Sequence, residues 1–205
     1  SGANKHLGGI IVASRGTPVQ ITATNALPAS HIIPVDKTIM GAEAGQPENR
    51  ATIHLHGGFV PWVSDGGPHS WFDPSGNYGA SVNLTSSPFN IYKAVNPGLA
   101  AGQAEYYYPN AQGARMMWYH DHAIGITRIN AYAGLATAYV ITDSYEASLV
   151  TANNLPGPLD PRTKYLVFQD KIFVDSAAAM ALKDPTWFTT MPLSQPGDLW
   201  YAHVY

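Results

Sequence analysis

Two pairs of histidines, each with one residue between its members, are the side chains of this chain best suited to chemistry. His54 and His56 lie in "HLHGG", and His120 and His122 lie in "WYHDH". In a β-strand, residues i and i+2 point to the same face, so each pair would present two imidazoles side by side. Neutral imidazole nitrogens bind Cu, Zn, Fe and Ni. The spacing therefore predicts a metal site that two strands build together.

The spacing alone leaves the identity of the metal open. Three of the four histidines could hold zinc and leave a position for water. A cupin-like iron or manganese site would usually add a Glu or Asp ligand, and neither pair has an obvious one. A blue-copper site needs a thiolate, and the chain has no cysteine. The remaining histidines have no partner at ligand spacing and are expected to be surface or packed residues: His6, His31, His69 and His203.

The composition favours a folded, loop-rich β protein. Charged residues make up 12% of the chain, against about 25% in an ordinary protein. The net charge of -3 and the lack of Lys/Arg runs argue against nucleic-acid binding and against an anionic membrane surface. The longest nearly apolar stretch, residues 131–141, is too short to span a bilayer. Neither nucleic acid nor membrane is therefore an expected partner.

Strand patterns and turn signals predict an all-β, Greek-key barrel or sandwich in the first part of the chain. A short helix is expected in "IGITRINAYAGL". The segment "NNLPGPLDPR" is rich in proline and is typical of a linker. A new strand pattern then begins in "TKYLVFQDKIFVD". We predict a first domain at residues 1–148, a linker at 149–162 and the incomplete start of a second domain at 163–205.

Longer segments around the histidines resemble the multicopper oxidases. "TIHLHGGFVPWVSDGGPHSWF" and "MMWYHDHAIGITRINAYAGLATAYVITD" are similar to the first two copper-binding motifs of that family. The resemblance is to the branch that contains spore-coat laccase, bilirubin oxidase and phenoxazinone synthase, and it covers nearly the whole chain from about Leu7. It implies a cupredoxin-like first domain and the start of a second cupredoxin-like domain.

The resemblance also implies a copper role for each paired histidine. His54 matches the type 2 copper ligand of the first motif. His56, His120 and His122 match ligands of the type 3 copper pair. Together they would form half of a trinuclear copper cluster.

Three further residues of these motifs acquire expected roles. Asp65 falls where some members of the branch hold an acid near the trinuclear centre, and it would relay protons during O2 reduction. Alternatively, Asp65 is a loop carboxylate of "SDGG" that caps its own turn. Asp121 is expected to face away from the copper, in a supporting or structural role. Trp118 is expected to pack beside the ligands as a core residue.

The copper-binding motifs of the family's last domain are absent from this sequence, and this absence bears on its expected activity. In the family, half of the cluster's histidines come from the last domain, which also holds the type 1 copper and its cysteine. The resemblance therefore implies the N-terminal portion of an oxidase of phenolic or aromatic amine substrates, which proceeds by one-electron steps and reduces O2 to water. It would be active only with the C-terminal remainder of the polypeptide, or with a second chain. The alternatives are a non-catalytic copper-binding cupredoxin module and a His-ligated zinc enzyme.

An extracellular location is expected from one short pattern. Asn83, followed by Leu84 and Thr85, is an N-glycosylation acceptor pattern and favours a secreted glycoprotein. No signal peptide is visible, and the chain begins with "SGANK", as a processed or truncated product would.

Overall fold

The fold is rich in strands and has short helices. The computed structural model describes residues 6–83, 89–183 and 195–200. Within these ranges the strands are β1 (Ile11–Ser14), β2 (Val19–Thr24), β3 (Ile53–His56), β4 (Gln103–Tyr108), β5 (Arg115–Asp121), β6 (Ala136–Thr142), β7 (Ile172–Phe173) and β8 (Leu199–Trp200). The helices are α1 (Ile91–Val95), α2 (Thr127–Ala133), α3 (Ser144–Ala152) and α4 (Ala177–Lys183), with a 3-10 turn at Trp62–Ser64.

Two sheets form the main body. The larger sheet has the strand order β1-β6-β5-β3, in which β1 runs parallel to β6 and the other neighbours are antiparallel. Strands β2 and β4 pair antiparallel in the second sheet, and β7 pairs with β8 in a third. The predicted all-β, cupredoxin-like class is confirmed, although the sheets do not close into a barrel within the described ranges.

A tyrosine-rich core lies between the two main sheets. Leu55 of β3 and Tyr139 of β6 pack in one cluster with Tyr106 and Tyr108 of β4. The rings of Tyr106 and Tyr108 lie 6.3 Å apart, and those of Tyr108 and Tyr139 lie 5.7 Å apart. Burial raises the pKa of Tyr108 well above its usual value, so this hydroxyl stays protonated. Packing in this core fixes the positions of β3 and β5 relative to each other.

Helix α2 supports the chain just after the second histidine pair. Its Ile129 and Tyr132 pack in a second buried cluster with Ile33 and Ala123. The helix ends at Gly134, whose φ of 116° lies in the left-handed region that glycine tolerates. The short helix expected in this segment is confirmed.

The second half of the chain departs from the predicted strand pattern. Residues 163–171 belong to no strand or helix, and β7 begins only at Ile172. A strand forms only where a partner accepts its hydrogen bonds, and within the described residues that partner is the short β8. Most side chains of this unpaired stretch are exposed, Phe168 by 91%. Helix α3 crosses the predicted limit at residue 148, and the domain limits stay a prediction.

Within the described part of the chain, no helix is long and apolar enough to cross a bilayer.

Candidate metal centre

Pairing between β3 and β5 brings the two histidine pairs together. His54 lies directly opposite His120, and His56 lies opposite Trp118. Leu55, between the first pair, is only 2% exposed and packs in the core. Because side chains alternate along a strand, burial of Leu55 turns both neighbours to the outer face. One apolar residue thus sets the direction of two candidate ligands.

The four imidazoles form one group, the histidine cluster (His54, His56, His120 and His122). The ring centroid of His54 lies 5.5 Å from that of His120 and 5.0 Å from that of His122. His56 and His120 are 5.6 Å apart. One ligand nitrogen each from His54, His56 and His120 lies within 4.8 Å of the others. These separations suit nitrogens that converge on a metal.

Main-chain carbonyls orient two of these rings. Nδ1 of His54 lies 2.6 Å from the carbonyl oxygen of Asp65, and Nδ1 of His120 lies 2.6 Å from that of Asp121. A carbonyl oxygen can only accept, so each Nδ1 carries the proton and donates it. Nε2 of each ring is then left with a free lone pair, as a metal ligand requires. Burial, reinforced by the neighbouring histidines, lowers the pKa of His120 and favours its neutral, ligating form.

The other two rings are also poised for a ligand. Nδ1 of His56 lies 3.4 Å from Nε2 of His120. Nδ1 of His122 is buried without a hydrogen-bond partner. Buried polar atoms are nearly always paired, so an orphaned imidazole nitrogen among three others is best explained by a metal. The donor set, neutral nitrogens alone, fits copper or zinc.

Asp65 lies beside the cluster but contacts it mainly through its backbone. Its carboxylate Oδ1 is 3.6 Å from Nδ1 of His54, longer than a hydrogen bond, and its side chain is 50% exposed. Its own amide donates to the carbonyl of Trp62 and closes the 3-10 turn. The carboxylate is therefore adjacent to a candidate ligand and open to water, and its part in proton relay stays a prediction.

Asp121 faces away from the cluster, as expected from its position between two histidines. It is 3% exposed, and its carboxylate accepts from the amides of Thr52 and Ala123. Burial raises the pKa of this carboxyl to about 6, although hydrogen bonds and the charge of Arg50 oppose the shift. Its bonds tie the start of β3 to the turn that follows His122.

Arg50 strengthens the same corner and was not anticipated from the sequence. It is fully buried, and its guanidinium donates to the carbonyls of Pro47, Gly41 and Ile124. These bonds join the loop before β3 to the turn after β5. Nothing in the local sequence marks Arg50, because its partners lie up to 74 residues away.

Trp118 packs beside the candidate ligands as predicted, but its expected place in the core is wrong. Its ring stacks on His120 with centroids 4.2 Å apart and lies 5.2 Å from that of His56. It is 44% exposed. Trp118 therefore shares the outer face of the sheet with the candidate ligands.

The remaining histidines and the glycosylation pattern lie apart from the cluster. His31 is a packed residue. Its Nδ1 lies within hydrogen-bond distance of the carbonyl oxygen of Ile33, and its Nε2 lies 3.1 Å from the side-chain oxygen of Asn130. His6 and His69 are exposed, whereas His203 lies outside the described residues. Asn83 is exposed, but Leu84 and Thr85 lie outside the described ranges, so the acceptor pattern stays a prediction.

Several known proteins are similar to this chain. A laccase of Bacillus stratosphericus is 36% identical over 171 residues, which cover 83% of the chain and 29% of the relative. A laccase of Bacillus subtilis (strain 168) is 35% identical over 144 residues, 69% of the chain and 25% of the relative. Multicopper oxidase LPR1 homolog 1 of Oryza sativa subsp. japonica is 40% identical over 134 residues, 65% of the chain and 20% of the relative.

Among solved structures, a laccase from Pediococcus acidilactici aligns with 76% of the chain and 23% of its own, at a TM-score of 0.48 and 23% identity. No family profile matches the chain.

Fold and site define a strand-rich protein with a cluster of histidines that could hold a metal ion. The sequence relatives make it more specific: the chain belongs to the laccase-like multicopper oxidases and corresponds to part of one. It spans less than a third of the length of these relatives. Copper is the metal that their names imply.

Proposed function

We propose that this chain contributes half of a trinuclear copper cluster to a multicopper oxidase. The complete enzyme would oxidise phenolic or aromatic amine substrates in one-electron steps and reduce O2 to water. One observation carries the proposal: four imidazoles converge from β3 and from β5 with its following turn, two with Nδ1 tied to a carbonyl and one with a buried, unpaired nitrogen. Bound copper supplies the one-electron and O2 chemistry that side chains lack.

The chain's own residues would bind and orient the metal. His54 would serve as the type 2 ligand, and His56, His120 and His122 as type 3 ligands. The carbonyl that accepts from Nδ1 of His54 keeps its Nε2 free, and the stacking of Trp118 restricts rotation of His120. The carboxylate of Asp65, half exposed beside His54, would exchange protons with water and pass them toward the site.

The partner in this proposal is the C-terminal remainder of the same polypeptide, or a second chain. It would supply the other histidines, the cysteine and the type 1 copper. Two features support it: the chain spans less than a third of its relatives, and His56 and Trp118 stand exposed on the ligand face. The reducing substrate would bind to the partner portion. We further propose a secreted protein, on the acceptor pattern at Asn83.

A zinc site is the second candidate, and one observation favours it. His54, His56 and His120 already bring three nitrogens within 4.8 Å of one another. Three histidines with an open fourth position are a common catalytic zinc arrangement. A copper-storing module would use the same residues without turnover.

Metal binding to the chain tests the proposal. We expect Cu²⁺ to bind with an electron paramagnetic resonance spectrum that shows coupling to several nitrogens. His120→Ala should weaken that binding strongly, because it removes the most buried ring of the cluster. The matched control is His69→Ala, which removes an exposed histidine outside the cluster.

Equal Cu²⁺ affinity in the two variants would contradict the assignment of the site. The complete protein, purified in native form, separates copper from zinc. Several coppers per molecule support the oxidase. A single colourless zinc ion would favour the zinc site.

A further inference from the structure

Gln112, in the loop between β4 and β5, is buried, with 4% of its surface exposed, and lies outside both histidine motifs. We propose that Gln112 is a positioning residue that holds the turn after His56 and thereby sets the His56 imidazole against His120. The proposal rests on the proposed function only in taking His56 as a metal ligand.

The side-chain amide of Gln112 joins the turn after β3 to β5. Its Oε1 accepts from the amide of Phe59 at 2.6 Å, and its Nε2 donates to the carbonyl of Gly57 at 2.8 Å. The same Nε2 lies 3.0 Å from Sδ of Met117 in β5. Both donors of the amide are therefore engaged. The turn that follows one histidine pair is fixed to the strand that carries the other.

The loop that carries Gln112 is itself anchored from the opposite side. Asn110 is 3% exposed and has a φ of 54°, a left-handed conformation that asparagine tolerates. Its Nδ2 donates to the carbonyl of Thr17, and its Oδ1 accepts from the hydroxyl of Tyr139, both at 2.8 Å. Its carbonyl accepts from the amide of Gly16. Gln112 thus extends from a fixed support, so its bonds constrain the turn.

His56 is the cluster member most in need of such support. It is the last residue of β3, it is exposed, and the chain leaves the sheet at Gly57, whose φ is 78°. Strand pairing beyond His56 is absent from the described register, which ends at His56 and Trp118. Rotation of the turn would move Nδ1 of His56 away from Nε2 of His120, now 3.4 Å distant.

Two substitutions test this role. Gln112→Met keeps the length of the side chain and removes the amide, which leaves the carbonyl of Gly57 and the amide of Phe59 without this partner. Gln112→Glu keeps the acceptor for Phe59 but places a carboxylate oxygen against the carbonyl of Gly57, which repels it. Gln103→Met is the control, since the amide of Gln103 likewise holds a turn, through Ala100 and Thr24, on the second sheet.

The first measurement needs no metal. The ring protons of His56 in the full chain should carry a ring-current shift from Trp118, whose ring lies 5.2 Å away. Gln112→Met and Gln112→Glu should both change that shift, and Gln103→Met should leave it as in the wild type. All spectra are recorded well below the thermal unfolding midpoint of each variant.

The second measurement uses Cu²⁺ as the probe. Loss of a residue that supports a metal ligand typically weakens affinity by about 10–100-fold. Because Gln112 acts through the turn, we expect about a tenfold loss for Gln112→Met. The nitrogen coupling in the electron paramagnetic resonance spectrum should change as well. Gln103→Met should alter neither quantity.

Unchanged His56 ring signals in both Gln112 variants would overturn the proposal. A change of the His56 signals in Gln103→Met as large as in the Gln112 variants would overturn it as well. If wild-type chain bound no Cu²⁺, the proposed function would fail, while the ring signals would still decide the role of Gln112. If both Gln112 variants failed to fold, hydrogen exchange of the Phe59 amide in the wild type would decide. Strong protection of this amide supports the positioning role of Gln112, and exchange at the rate of an open loop contradicts it.

Discussion

At the residue scale, the backbone prepares the candidate ligands as much as any side chain does. Asp65 and Asp121 each offer a carbonyl, not a carboxylate, to Nδ1 of a histidine. A carbonyl has no titratable proton, so the tautomer of His54 and of His120 does not change with the protonation of these two acids. In the neutral form of each ring, this arrangement leaves Nε2 as the nitrogen that can bind a metal.

A histidine outside the cluster makes stability depend on pH. Burial lowers the pKa of His31, although hydrogen bonds to Ile33 and Asn130 oppose the shift. An unfolded chain, in which histidine titrates at about 6.5, therefore takes up this proton at a higher pH than the folded chain does. The folded state then loses stability as the pH falls below about 6.5.

We expect urea unfolding to show less loss of stability between pH 7 and pH 5 in His31→Gln than in the wild type. His69→Gln, at an exposed position, is the control and should keep the wild-type difference. If His31→Gln lost as much stability between pH 7 and pH 5 as the wild type does, His31 would not be the source of this pH dependence.

At the scale of elements, the turn after the 3-10 segment packs directly on β3. Gly66 has a φ of 67°, and a Cβ built there would lie 1.9 Å from the carbonyl oxygen of Ile53. This close approach brings the carbonyl of Asp65 to His54. A glycine is required both for its backbone conformation and for the absent side chain.

Gly66→Ala should therefore displace β3. Gly16 is a matched control, because its φ is 75° and a Cβ there would meet nothing within 4 Å. Gly16→Ala should cost about 1–2 kcal/mol, the price of a left-handed alanine. Gly66→Ala should cost more than this and should also weaken Cu²⁺ binding, which Gly16→Ala should not. Chemical unfolding and Cu²⁺ titration of both variants measure the difference, and equal results would refute the packing argument.

At the scale of the whole molecule, the described residues include exposed apolar side chains in two parts of the chain. The ligand face carries the exposed His56 and Trp118, and the unpaired stretch at 163–171 carries Phe168. Apolar surface of this kind is typical of faces that pack against further structure. Both surfaces agree with a chain that spans less than a third of its relatives.

We expect the 205-residue chain alone to consume no O2 with a phenolic dye. It has four histidines in the cluster and no cysteine to hold a type 1 copper, which would accept the electrons of a substrate. Addition of a C-terminal remainder with the missing ligands should produce turnover. The same addition to the His69→Ala variant should produce the same rate. O2 consumption by the chain alone would contradict the shared cluster.

Local patterns allowed part of this arrangement to be predicted. The i, i+2 spacing identified the four histidines, and strand patterns with turn signals identified the β class. Trp118 was misplaced in the core, because the sequence does not show which strand faces are covered. Of the strand pattern expected in "TKYLVFQDKIFVD", only Ile172–Phe173 forms a strand, because pairing depends on a partner strand and not on propensity alone.

The sequence by itself determined the donor set, the strand class and the family, since residue type, period and motif order are all local properties. Only the tertiary structure decided the register that sets His54 opposite His120 and the carbonyls that select their tautomers. It also placed Gln112 and Arg50, whose hydrogen bonds reach 53 and 74 residues along the chain. Such contacts exist only once the core has fixed the strands, and no spacing in the sequence encodes them.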